Sequence, residues 1–108
     1  MFIRLYKMKY VIYRINCLTI PEEFYIGSSN KFSSRKSNHK KSHKNKRSKK
    51  YWCKLYLFIR TNGGWDNFEM VIIEDGEVET KEDILRKEQQ FIDTLKPTLN
   101  SKRAIKDI

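Results

Sequence analysis

Two phenols, two imidazoles, a guanidinium and one misplaced carboxylate are the side chains here that could do chemistry: Tyr13, Tyr25, His39, His43, Arg35 and Glu88. Phenols, imidazoles and carboxylates move protons, a guanidinium binds oxyanions, and imidazoles or carboxylates hold metals. Glu88 is the most telling of them. Ile84, Leu85, Phe91, Ile92 and Leu95 recur at helical spacing and mark one buried face, and Glu88, at i+4 from Ile84, falls within it. Glu82, Lys87, Gln89 and Gln90 already supply the exposed side. A carboxylate withdrawn from water without a partner costs several kcal/mol or changes its pKa. Glu88 therefore reaches solvent at the edge of the stripe, pairs with a base, or binds a metal. Arg35 and His39 are four residues apart and share a helical face. His39 and His43 repeat that spacing, but no third ligand lies near and the local charge is strongly positive, so a histidine metal site is rejected. Tyrosine is common in strands, so Tyr13 and Tyr25 by themselves read first as core aromatics with satisfied hydroxyls and only second as working phenols.

The elements that must position these groups follow from local pattern. Tyr10–Leu18 is rich in β-branched and aromatic residues and reads as a strand. A turn at 19–23 with Pro21 leads into a second strand, Phe24–Ser28, closed by Gly27, and the two should form an antiparallel hairpin. Alternation puts Tyr13 with Val11 and Ile15, opposite Ile12 and Arg14. Lys31–Lys44 is a plausible but weakly patterned helix. Tyr51–Arg60 is better patterned, with Tyr51, Trp52, Leu55, Tyr56, Phe58 and Ile59 forming an apolar stripe that Asn62-Gly63-Gly64 ends. Trp65–Glu74 is expected as a third strand and Asp75-Gly76 as a turn. Thr80 caps a last helix, with Asp83 in capping-box position, and this helix ends before Pro97. The order ββααβα predicts an α+β fold, a small three-stranded antiparallel sheet flanked by helices, as a single domain over 1–108.

Charge is concentrated in one place. The chain carries +10 from 23 Lys+Arg against 13 Asp+Glu. Between Lys31 and Lys50 stand ten basic residues and no acid, so the rest of the chain is neutral. The basic side chains Lys31, Lys36, Lys40, Lys41, Lys44, Lys46, Arg47, Lys49 and Lys50 are thus the expected nucleic-acid contacts. The stretch 40–50 reads as a basic insert able to stay disordered until phosphates neutralise it. No apolar run spans a bilayer and no lipidation motif accompanies the charge, so no membrane partner is expected. Two distant cysteines, Cys17 and Cys53, exclude a disulfide scaffold and point to an intracellular location, cytoplasm or nucleus, rather than secretion.

Val11-Ile12-Tyr13 followed by Tyr25-Ile26-Gly27 resembles the paired motif of the GIY-YIG nucleases, with Val11 where the first glycine is usual. The resemblance continues through Ser28-Ser29, Arg35 and His39, Asn67-Phe68-Glu69, Glu88 and Pro97-Thr98-Leu99-Asn100, over roughly residues 9–104. It implies a metal-dependent DNA endonuclease that hydrolyses phosphodiester bonds with one divalent ion, Mg²⁺ or Mn²⁺. Glu88 would be the metal ligand and Arg35 the contact to the scissile phosphate. Tyr13 and Tyr25 would surround the attacking water, Tyr13 being the expected general base. His39 would support proton transfer, and Asn100 would help order the site. A free phenol is only about one part in a thousand ionised at pH 7, so such a base implies a rate that rises toward alkaline pH. DNA is the expected partner, with a dimer one route to double-strand cleavage. The alternative is a non-catalytic nucleic-acid-binding module with the same fold.

Overall fold

A computed structural model describes residues 7–101; residues 1–6 and 102–108, including the last three of the expected 9–104 core, lie outside the described residues. Strands β1 (Met8–Cys17) and β2 (Phe24–Ser29) form the expected hairpin, and β3 (Phe68–Val78) pairs antiparallel with the other side of β1. The sheet order β2-β1-β3 makes β1 central. Helices α1 (Phe32–Ser42) and α2 (Lys54–Thr61) precede β3, and α3 (Lys81–Leu95) follows it. This is the α+β sandwich that the element order predicts. Among the described residues no helix is long and apolar enough to cross a membrane.

Alternation along β1 sorts the core into two layers. Tyr13, Ile15 and Cys17 face α2, packing with Leu55, Tyr56 and Ile59. Tyr10 and Ile12 face α3 and meet Phe24, Ile26 and Ile84. Arg14, on the α3 side, lays its guanidinium 3.7 Å from the centroid of the Phe24 ring.

The structure departs from local pattern in four elements. Trp65–Asn67 is a single 3-10 turn rather than strand, and β3 runs on through Asp75-Gly76, the expected turn. The reason is a bulge: Ile12 pairs with Glu74 but Tyr13 with Ile72, so Ile73 is the extra residue. The bulge turns both Ile73 and Glu74 toward the α3 layer, where Glu74 accepts a 2.7 Å hydrogen bond from the Tyr10 hydroxyl. Helix α2 begins at Lys54, not Tyr51, and Trp52 stands outside the core, 75% exposed. On α3 the stripe is rotated: Leu95 is exposed, whereas Gln89 is buried and donates to Asp93 at 2.8 Å. Finally, 40–50 is not one open insert. Helix α1 takes it to Ser42, and a chain of turns, Asn45 N–H to Ser42 and Ser48 N–H to Asn45, carries the rest.

The ends of α3 behave as the residues dictate. Thr80 Oγ1 accepts from the Asp83 N–H at 3.1 Å while the Asp83 carboxylate accepts from the Thr80 N–H at 3.2 Å. Lys96 closes the helix at φ 54°, ψ 59°, and Pro97 prevents any continuation. The chain then runs along the outer edge of β2. Leu99 N–H donates to the Phe24 carbonyl, and the Asn100 amide accepts from Ile26 N–H at 2.9 Å and donates to Ile26 C=O at 2.8 Å. An edge strand with free hydrogen-bonding groups is thereby covered.

Candidate active site

Tyr13 and Gly27 are paired across β1 and β2, and the Tyr13 ring crosses directly over the glycine. A Cβ on Gly27 would lie 2.5 Å from the Tyr13 hydroxyl and 2.9 Å from the Tyr25 ring. No side chain fits there. Gly27 thus lets both phenols converge, their centroids 6.2 Å apart.

Helix α1 meets them with an inward face of Phe32, Arg35, His39 and His43. Only one of these is apolar, so the helix is held by polar partners rather than by a greasy stripe. His39 is buried, with Nε2 2.7 Å from the Tyr13 hydroxyl and Nδ1 2.8 Å from the Tyr56 hydroxyl. Arg35 also reaches the Tyr13 hydroxyl, and a guanidinium can only donate. The phenol's own proton is then aimed at Nε2, and we assign His39 the tautomer whose Nδ1–H donates to Tyr56. Burial, with the charges of Arg35, Lys50 and His43 adding to it, pushes His39 down to about 4. The imidazole is neutral. His43, the other half of the discarded metal pair, is buried against Trp65 with ring centroids 6.0 Å apart, and its Nδ1 lies 3.2 Å from the His39 carbonyl. Among the described residues no three histidine, cysteine or acidic side chains cluster as a metal site.

Glu88 reaches the same edge of the sheet from the opposite face. It is half-buried on α3 and accepts a hydrogen bond from the Ser28 hydroxyl at the end of β2. Of the three explanations for its position, none holds alone. Glu88 has a hydroxyl partner, faces a solvent-open cavity, and lies in the field of Arg35 and Lys50. Burial raises its pKa, while the Ser28 hydrogen bond and those two cations oppose the rise.

Two adjoining cavities meet at this carboxylate. One, of about 210 Å³, is lined by Tyr25, His39, Lys50, Tyr56, Glu88 and Asn100. The other, of about 370 Å³, is lined by Tyr25, Ser28, Arg35, Lys50, Lys81 and Glu88. Tyr25 faces both. Tyr13, the expected general base, is fully buried and faces neither, because the Gly27 gap draws its ring under Tyr25 and its hydroxyl is taken by Arg35 and His39. Burial pushes both phenols above their ordinary value near 10, Tyr25 further helped upward by the charge of Glu88. Arg35 pulls each the other way and is outweighed.

Sequence pattern picks out Tyr25, Arg35, His39 and Glu88, and the fold brings them together. Asn100 belongs to the lining but spends both amide groups on the β2 backbone. The nine basic residues are all exposed, and only Lys50 also lines the cavities. Pattern missed Ser28 as the partner of Glu88 and Tyr56 as the partner of His39, and it gave Lys50 as a nucleic-acid contact without placing it in the cavities. For Tyr56 a signal existed: a phenol on a buried stripe needs a hydrogen-bond partner.

Comparison with known proteins adds a family and a fold. The model of the GIY-YIG catalytic domain matches residues 9–103. The solved structure of the catalytic domain of homing endonuclease I-TevI is similar at a TM-score of 0.68 and 24% identity, over 85% of this chain and 94% of that one. That likeness is one of fold. No curated protein matches significantly.

Proposed function

The chain belongs to the GIY-YIG family of catalytic domains, and from that premise we propose that it is a metal-dependent DNA endonuclease whose site is the double cavity at the β2 edge. One observation carries the proposal. A phenol (Tyr25), a guanidinium (Arg35), a lysine (Lys50) and a single half-buried carboxylate (Glu88) line one open cavity, beside a wholly basic tract.

The donor set fits a hard divalent cation such as Mg²⁺ or Mn²⁺. Glu88 would hold it, its carboxylate steadied by Ser28 and carrying a desolvation cost that a cation relieves. When bound, the ion supplies Lewis-acid polarisation of the phosphodiester and counters the charge that builds on the leaving oxygen. The remaining work belongs to the chain's own side chains. Arg35 binds the scissile phosphate and stabilises the developing oxyanion. Tyr25, the phenol that faces the cavity, takes the proton of the attacking water when it is ionised, and so returns to the neutral phenol. Tyr13 positions Arg35 and the Tyr25 ring, and is itself held by neutral His39 and Tyr56. Asn100 positions β2 through Ile26. Lys31, Lys36, Lys40, Lys41, Lys44, Lys46, Arg47, Lys49 and Lys50 bind the DNA backbone.

One such site cuts one strand, so double-strand cleavage takes two chains or two successive nicks. The two free thiols, Cys17 and Cys53, accord with an intracellular setting.

Supercoiled plasmid tests the proposal. Wild-type protein should convert it to nicked circles with Mn²⁺ and leave it intact without metal. Glu88→Ala should fold at least as stably as wild type, since a desolvation cost is gone, and should not cleave. Plasmid that is bound yet uncut by wild type would make the protein a binding module; full cleavage by Glu88→Ala would remove the metal assignment.

A further inference from the structure

Trp52 is the most exposed large apolar side chain of the described residues, at 75%, yet it is not loosely held. Its ring stands perpendicular to Tyr51, centroids 4.9 Å apart. The Arg60 guanidinium carbon lies 3.6 Å from the Tyr51 centroid and 5.6 Å from that of Trp52. Arg60 in turn donates to the His43 carbonyl at the end of α1. A cation stacked on Tyr51 and tied to the end of α1 therefore backs the tyrosine against which the exposed indole rests. An exposed indole set against a tyrosine and beside a run of cations offers a flat face on which another aromatic ring can stack.

Its neighbours say what the contact is. Lys46, Arg47, Lys49 and Lys50, all exposed, come just before it in the chain. Lys50 lines both cavities, and Cys53, the residue after Trp52, lines the smaller one beside Glu88. A DNA strand whose phosphates follow the basic tract into the cavity passes the indole. Bases inside a duplex have both faces covered, so only a base already out of the stack can lie on it. Resting on the nuclease reading above, we propose that Trp52 is a stacking platform for an unpaired nucleobase, and that the preferred substrate is DNA carrying a bulge or other unstacked nucleotide near the cut.

Binding without metal isolates this from catalysis. Three short duplexes serve as probes: fully paired, with one bulged thymine, and with an abasic nucleotide at the bulge. Wild type should bind the thymine bulge about tenfold or more tighter than the other two, with quenching of indole emission. Trp52→Ala should lose the preference and the quenching while keeping the paired-duplex affinity and its salt dependence; Trp52→Phe should keep part of the preference. Equal, salt-sensitive binding of all three duplexes by wild type would overturn the platform and leave the nuclease reading standing. Failure to bind any of them would overturn both.

Discussion

The Tyr13 hydroxyl lies 2.7 Å from Nε2 of His39, and both residues are buried. On the proposed reading that bond makes Tyr13 a positioning residue rather than the base. Tyr13→Phe leaves Nε2 and Arg35 short of a partner and should cost about 1–3 kcal/mol of stability. Tyr25→Phe should spare stability and slow cleavage at least roughly a hundredfold. Single-turnover rates and unfolding curves of the two variants measure this. A larger rate loss for Tyr13→Phe than for Tyr25→Phe would return the base to Tyr13.

The pH–rate profile follows from the direction of the Tyr25 shift. A base must be deprotonated to act, and its ionised fraction rises tenfold per pH unit below its pKa. Burial and Glu88 push Tyr25 above the ordinary 10, so the wild-type rate should climb from pH 7 through 9 without a plateau. The Tyr25→Phe profile should be flat there. A wild-type plateau by pH 8 would assign the base to another group.

His39 makes a separate prediction about stability. Its folded pKa of about 4 lies below the 6.5 of an ordinary histidine, so the unfolded chain binds a proton first as pH falls. The stabilisation is complete above about pH 6.5 and is lost as pH falls toward 4, on the order of 3 kcal/mol. Denaturant unfolding at pH 7 and pH 4.5 should show this loss, and His39→Asn, less stable at pH 7, should show a shallower one.

Gly27→Ala probes the packing of the two phenols. The added methyl would sit 2.5 Å from the Tyr13 hydroxyl, which is tied to His39 and cannot yield cheaply. We expect a loss of about 1–3 kcal/mol from overpacking and a cleavage rate well below wild type with DNA affinity unchanged. Wild-type cleavage by Gly27→Ala would show that the phenols need no such approach.

The basic tract and Arg35 should separate binding from turnover. Neutralising Lys40, Lys41, Lys44, Lys46 and Arg47 should reduce the log–log salt slope of DNA binding by up to about 4–5, with turnover at saturating DNA largely kept. Arg35→Ala should keep affinity and abolish cleavage. Equal loss of affinity in both variants would merge the two roles.

What the residues determined by themselves was local and periodic. The β-branched run of β1, the Pro21 turn, the Thr80–Asp83 capping box and the Pro97 stop are each decided within a few residues, and so are legible without a fold. The concentration of charge between Lys31 and Lys50 is likewise a property of the chain alone. The paired tripeptides around Tyr13 and Tyr25 could be read for resemblance because their order and spacing survive in one dimension. The tertiary structure decided what depends on partners distant in the chain. The inner face of α1 is mostly polar, so apolar periodicity is silent about it. His39 is buried only because phenols 26 and 17 residues away satisfy both ring nitrogens. Tyr13 sinks and Tyr25 faces the cavity because Gly27 pairs with Tyr13, a matter of register between strands. The bulge at Ile73 carries β3 past a glycine that reads as a turn. Trp52 reads as core from its neighbours in sequence, yet stays in water because Arg60 holds Tyr51 and the backbone turns before α2 begins. Pattern reports how often a face is apolar; only packing reports which polar groups find partners, and here those groups make the site.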